Sequence, residues 1–151
     1  MFKKILVGVD LSPRSCKAIE KAIQFAHLYN SEIVLLNVHE EFLNKDEMVM
    51  SRVSVNKLQN TFQDISINAK NEIQHLLDDM NADDIKTNII LREGKAGKTI
   101  IQISNEQNPD LIVIGSNGKD SLSDYILGTT TGYVVDNSKF PVLVIPDMYN
   151  G

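Results

Sequence analysis

A single cysteine, Cys16, is the whole thiol content of the 151-residue chain, so neither an internal disulfide nor a zinc site built on several thiolates can form. So low a cysteine count fits a reducing, cytoplasmic compartment. An excess of basic charge is missing too. Fifteen basic residues stand against 20 acidic ones, for a net charge of -5, which removes the electrostatic basis for general nucleic-acid binding or adhesion to an anionic membrane. Long apolar runs are also lacking. The amino-terminal MFKKILVGVD reaches Asp10 after only five residues of apolar run, too short for a signal-peptide core or a membrane span. IVLLNV near residue 33 and LIVIG near residue 111 are equally short and read as buried strands. No linker, repeat or low-complexity segment divides the chain, and its 42% hydrophobic content fills one core, so a single domain over residues 1–151 is expected.

What is present alternates between strand and helix. Lys4–Asp10 reads as a strand, and Ser12-Pro13 then supplies a helix cap and a first-turn proline. Ile19, Ala22, Ile23 and Ala26 recur on one helical face until Asn30-Ser31, before strand Ile33–Val38. Residues 40–50 are irregular and polar, which suggests a loop. A long amphipathic helix follows, with Val55, Leu58, Phe62, Ile65, Ala69, Ile73, Leu76, Leu77 and Met80 in its apolar stripe. A coiled coil competes for so long a stripe, but Ala69 and the single segment favour packing on a sheet. Residues 40–84 hold ten acidic and four basic side chains, so the acidic surplus of the whole chain is concentrated there.

The second half repeats the alternation: strand Thr87–Leu91, loop Arg92–Lys98, a helix to Gln107 ended by Asn108-Pro109, and strand Asp110–Ile114. The stretch GSNGKDSLSDYILGTTTGYVVDNS then holds two helical pieces before the last strand, Val142–Ile145, bracketed by Pro141 and Pro146 as an edge strand would be. Five mostly apolar strands separated by helices imply an α/β fold: a doubly wound parallel sheet with helices on both faces.

The sharpest feature runs from Gly115 to Thr131. Gly115 lies where a strand leaves the sheet, Gly118 follows three residues on, and Gly128, Thr129 and Thr130 open a helix. Glycines admit close backbone approach, and a helix amino terminus offers unpaired amides and a favourable dipole to an anion such as phosphate. The same residues also serve without a ligand, as a tight turn and a helix cap. Asp10 likewise ends a strand. It suits a ribose hydroxyl if the first and fourth strands are neighbours at a switch in strand order, and equally suits a turn before Ser12-Pro13.

These residues closely resemble the nucleotide-binding branch of the universal stress protein family, whose signature is glycine, two residues, glycine, nine residues, glycine, then serine or threonine. Gly115, Gly118, Gly128 and Thr129 match it, and ILVGVDLSPRSCKAIEKAIQFA, VLLNVHE, PDLIVIGSNG and FPVLVIP extend the likeness over the chain. The resemblance implies a five-stranded sheet in the order 3-2-1-4-5, similar to the adenine nucleotide alpha hydrolases. It further implies bound ATP; in the alternative of a slow ATPase or phosphotransferase, Mg2+ would be held largely by the phosphates. Adenosine would lie against Gly8, Val9, Asp10 and Val38, with Ile114 and Gly115 beside it, and the phosphates on Gly118, Gly128, Thr129 and Thr130. A regulatory, stress-response role and a homodimer paired through the last strand are implied as well. Two departures stand out. Thr130 and Thr131 replace an apolar residue and a serine, adding hydroxyls beside the phosphates, and REGKAGKT at 92–99 replaces a glycine, acidic residue and proline.

Other residues point less far. Gly97-Lys98-Thr99 is the tail of a P-loop, but Arg92 stands where its first glycine must be, so a solvated basic loop is the better reading of Arg92, Lys95 and Lys98. His27, His39 and His75 show no metal-ligand spacing; His27 and His75 read as surface groups, and His39 borders the implied adenine site. Cys16 reads as a packing residue, and Ser121 and Ser123 as loop hydroxyls or modification sites. No organised general base accompanies the phosphate motif, with only Lys119, Asp120, Asp124 and the threonines nearby. Binding and regulation are therefore favoured over a slow ATPase or phosphotransferase, and over a nucleotide-free dimeric interaction protein.

Overall fold

In the computed structural model, which describes residues 1–40, 55–116, 127–148 and 150, strands and helices alternate along the chain. They are β1 (Lys4–Gly8), α1 (Pro13–Tyr29), β2 (Glu32–His39), α2 (Val55–Asp79), β3 (Thr87–Glu93), α3 (Ala96–Gln107), β4 (Leu111–Gly115), α4 (Thr129–Asn137) and β5 (Val142–Ile145). All neighbours pair in parallel, in the order β3-β2-β1-β4-β5, the order that the resemblance implies.

Alternation along each strand builds two cores. Ile5, Val7, Ile33, Leu35, Leu111 and Val113 face α1 and α2, meeting Ala18, Ile19, Ala22, Ala69, Ile73 and Leu77. Leu6, Val34, Leu36, Ile112 and Ile114 face the other way, onto Ile100 and Ile103 of α3 and Val134 of α4. Burial on both sides explains why the strands read as unbroken apolar runs. Each fully buried Ile or Leu contributes about 1.5–3 kcal/mol. Ala69, Ile73 and Leu77 of the α2 stripe thus pack on the sheet, the reading favoured over a coiled coil.

Helix ends follow their sequence signals. Ser12 caps α1 with Pro13 at its first position, and Asn30 and Asn108 close α1 and α3 in the left-handed conformation, φ 53° and 48°. Two boundaries differ from expectation. β1 stops at Gly8 rather than Asp10, because Asp10 is drawn into a turn. β3 runs on to Glu93, because Arg92 and Glu93 pair in register with Val38 and His39; a tertiary ladder extends a strand whose own residues turn polar. The basic loop shrinks to Gly94 and Lys95. Residues 41–50 of the irregular region, and the first of the two helical pieces after β4, lie outside the described residues.

Candidate functional site

At the carboxyl ends of the strands, the chain leaves β1 toward β2 and leaves β4 toward β5, so the segments diverge and open a crevice at the switch in strand order. Its empty volume is about 530 Å³, part of it open to solvent. Leu36 and Val38 of β2 with Ala96 and Ile100 of α3 make one side apolar. Gly8, Val9 and Ile114 lie between, and Asp10, Ser15, Gly115, Thr130 and Thr131 make the other side polar. Seven residues singled out from the sequence, Gly8, Val9, Asp10, Val38, Ile114, Gly115 and Thr130, therefore meet here. Gly128 and Thr129 stand at the start of α4 without lining the crevice, and Gly118 lies outside the described residues.

Ser15, Leu36, Ala96 and Ile100 line the crevice without having been anticipated, and Thr131, noted only as a departure from the family pattern, lines it too. Leu36 carried a signal, since it precedes Val38 by two and shares its face of the strand. Ser15 carried another, as a hydroxyl on the apolar face of α1.

The turn after β1 is tightly specified. Asp10 Oδ1 accepts from the Ser12 amide at 2.9 Å and from the Ser12 hydroxyl at 2.5 Å. Leu11 between them is left-handed, φ 62°, a conformation costing a side chain roughly 1–2 kcal/mol. Asn37 Nδ2 donates to the Val9 carbonyl at 2.8 Å, and the Val9 amide donates to Leu36 at 2.9 Å. Asp10 thus holds the turn with one oxygen, while Oδ2 has no partner among the described residues. The turn role and the acceptor role are compatible.

The opposite wall is fixed by two bonds. The Thr131 hydroxyl donates to the Gly115 carbonyl at 2.7 Å, and the Gly128 amide donates to the Ser116 carbonyl at 2.9 Å. Of the two hydroxyls that departed from the family pattern, Thr131 is therefore spent within the protein, whereas Thr130 lines the crevice. The amides of Thr129, Thr130 and Thr131 fall in the first turn of α4, where the helix supplies no acceptor. That turn is an anion-favouring end.

The P-loop tail has a packing role. A Cβ on Gly97 would come within 2.9–3.0 Å of the Tyr133 ring and Cβ, so glycine lets α3 and α4 close together there. The Ala96 amide at the start of α3 donates to the Glu40 carboxylate at 2.7 Å. Arg92, Lys95 and Lys98 are exposed. His27 pairs with Asp84 at 3.2 Å, His75 is exposed, and the His39 carbonyl accepts from Gly94 at 3.0 Å. Burial, then the charges of Glu20 and Asp10, raise the Cys16 pKa, which disfavours a reactive thiolate. Among the described residues no three His, Cys, Asp or Glu side chains cluster as a metal site, and no helix is long and apolar enough to cross a membrane.

A doubly wound α/β sheet with a crevice at its switch point defines the class. The chain matches the universal stress protein family over residues 1–146 and belongs to it. It is 29% identical to universal stress protein MJ0577 of Methanocaldococcus jannaschii, the alignment covering 96% of this chain and 95% of that one. The solved structure of MJ0577 superposes with a TM-score of 0.81 over 99% of both chains. Universal stress protein YxiE of Bacillus subtilis is 28% identical, with 96% of this chain and 99% of that one covered. The universal stress protein from Archaeoglobus fulgidus solved in complex with dAMP shares the fold at 16% identity, with a TM-score of 0.64 over 95% of this chain and 98% of that one.

Proposed function

We propose that the crevice holds an adenine nucleotide, ATP, and that this single-domain protein is a nucleotide-binding regulator of the stress response rather than an efficient ATPase. The observation that carries the reading is the division of one crevice into an apolar side and a polar side beside a helix amino terminus. An adenine ring suits Leu36, Val38, Ala96 and Ile100. The free oxygen of Asp10 suits a ribose hydroxyl, and the first turn of α4, with Thr129 and Thr130, suits phosphate. Gly118 completes the cradle by its place in the signature. The fold relative bound to dAMP makes an adenine nucleotide the natural class.

Regulation is favoured because Asp10 is the sole charged side chain among the described residues lining the crevice. Phosphoryl transfer needs charge neutralisation and a positioned nucleophile as well as binding. Mg2+ would enter with the phosphates. The homodimer follows from β5, an edge strand whose Val142, Leu143 and Val144 are only half-buried and whose outer hydrogen-bonding edge a second copy can cover.

Denaturing freshly purified protein and assaying released nucleotide tests the first point, with calorimetric titration of ATP and AMP giving affinity. Release of adenine nucleotide and saturable ATP binding are expected; absence of both refutes the reading. Many turnovers of ATP, abolished by a single Asp or Lys substitution, would replace the regulator with an enzyme. Light scattering at high micromolar concentration is expected to give twice the 16.9 kDa chain mass, and a monomer would remove the dimer.

A further inference from the structure

Glu40 follows β2, two residues beyond Val38, and its side chain reaches across to the start of α3, where Oε1 accepts from the Ala96 amide at 2.7 Å. Lys95, at the cap position of that helix, makes no side-chain cap bond, so Glu40 does the capping from another element. Val38 and Ala96 both line the apolar side of the crevice, one from the strand and one from the helix. The carboxylate therefore bridges them at the rim, one hydrogen bond away from a lining residue. Ala96 is its only partner among the described residues, which leaves Oε2 open as an acceptor.

A purine whose sugar meets Asp10 beyond β1 extends over β2, the neighbour of β1 on that side, where Leu36 and Val38 line the crevice. Its edge farthest from the sugar, which carries the substituent at position 6, then faces the rim that Glu40 bridges. Leu36, Val38, Ala96 and Ile100 have no side-chain acceptor to offer there, and a donor taken out of water without a new partner is costly. We infer that Glu40 determines specificity for the base, its open carboxylate oxygen accepting from the 6-amino group of adenine. The inference rests on the nucleotide reading of the crevice and deepens it, because an apolar slot alone admits any flat ring whereas this one asks for a donor at position 6. One carboxylate thus has two duties: Oε1 holds α3 and Oε2 reads the ligand.

The test compares ATP with purine riboside triphosphate, which lacks only the 6-amino group, on nucleotide-stripped parent, Glu40→Ala and Glu40→Gln proteins. Calorimetry should show the parent preferring ATP by about tenfold, typical of one hydrogen bond to a charged group. Glu40→Ala should bring the two affinities to within about twofold of each other. Glu40→Gln separates the two duties, since its amide oxygen still caps Ala96 while its NH2 turns a donor toward the base. Its preference for ATP should vanish, with a ligand-free thermal midpoint closer to the parent's than that of Glu40→Ala. A cap with no part in reading the base would instead lower both affinities by the same factor. A parent-like preference that survives in either variant overturns the inference, as does a parent that binds the two triphosphates equally. A parent that binds neither removes the crevice reading itself, and this inference with it.

Discussion

The two ends of the sheet are built from the same strands but are finished in opposite ways. At the amino edge, Asp110 accepts from the amides of Lys3 and Lys4 at 2.8 and 3.0 Å, and Lys4 Nζ reaches the Gln107 carbonyl at 3.2 Å. Glu32 gives one oxygen to Lys4 at 3.1 Å and the other to Lys86 at 2.7 Å. A groove of about 1020 Å³ lies there, larger than the crevice, but Lys4, Lys86 and Glu32 along it pair with one another, as do His27 and Asp84. At the carboxyl edge, among the described residues, a carboxylate keeps one oxygen open, a helix begins with unaccepted amides, and the buried Ser116 hydroxyl has no partner. Ligand capacity follows unspent polar groups more than empty space.

The comparison breaks most sharply at Gly8. The atoms nearest to a Cβ there belong to Ile100 and Ile114, at an ordinary 3.6 Å, and both residues line the crevice. Gly8→Val should leave a folded protein whose ATP affinity falls by about a hundredfold, close to 3 kcal/mol, by calorimetry. Unaltered affinity would show that the nucleotide does not reach the end of β1. Gly97→Ala comes next. Its Cβ would press on Tyr133 and should cost about 1–3 kcal/mol in denaturant unfolding. Thr131→Val removes the buried bond to Gly115 while keeping the shape, with an expected loss of about 1–2 kcal/mol and a weaker grip on ATP.

The amino edge should respond least, and to acid rather than to nucleotide. Hydrogen bonds from Lys86 and then Lys4 hold the Glu32 carboxyl below its usual range. A depressed carboxyl pKa stabilises the fold above the unfolded-state value, and that contribution is lost as pH falls through the folded-state value. Glu32→Gln should therefore lower the thermal midpoint by no more than about 2 °C at pH 7, a difference that closes below about pH 4. ATP affinity should not change. A large loss of affinity would mean that the two edges are not independent.

The strand pattern was legible because the three inner strands, β2, β1 and β4, are buried on both faces and the strands are bounded by turn residues. Val142–Ile145 is found with its bounds intact, set between Pro141 and Pro146. Arg92 and Glu93 were not legible as strand, since only their pairing with Val38 and His39 makes them so. Within the crevice, Asp10 and Gly115 announce themselves at strand ends, whereas Ala96 and Ile100 arrive on a helix whose place over β2 depends on the whole crossover. Nor does a sequence state which polar groups are already spent. Gly128 and Thr131 sit in or beside the signature, and the structure turns the amide of one and the hydroxyl of the other inward.

The contact at Gly97 has a mechanical consequence. With no side chain between α3 and Tyr133, the two helices form one plate over their face of the sheet. Ala96 and Ile100 ride on one half of that plate, Thr130 and Thr131 on the other. The apolar and the polar side of the crevice are therefore each carried in part by this packed helix pair, and a shift of α3 reaches α4 through the Gly97–Tyr133 contact.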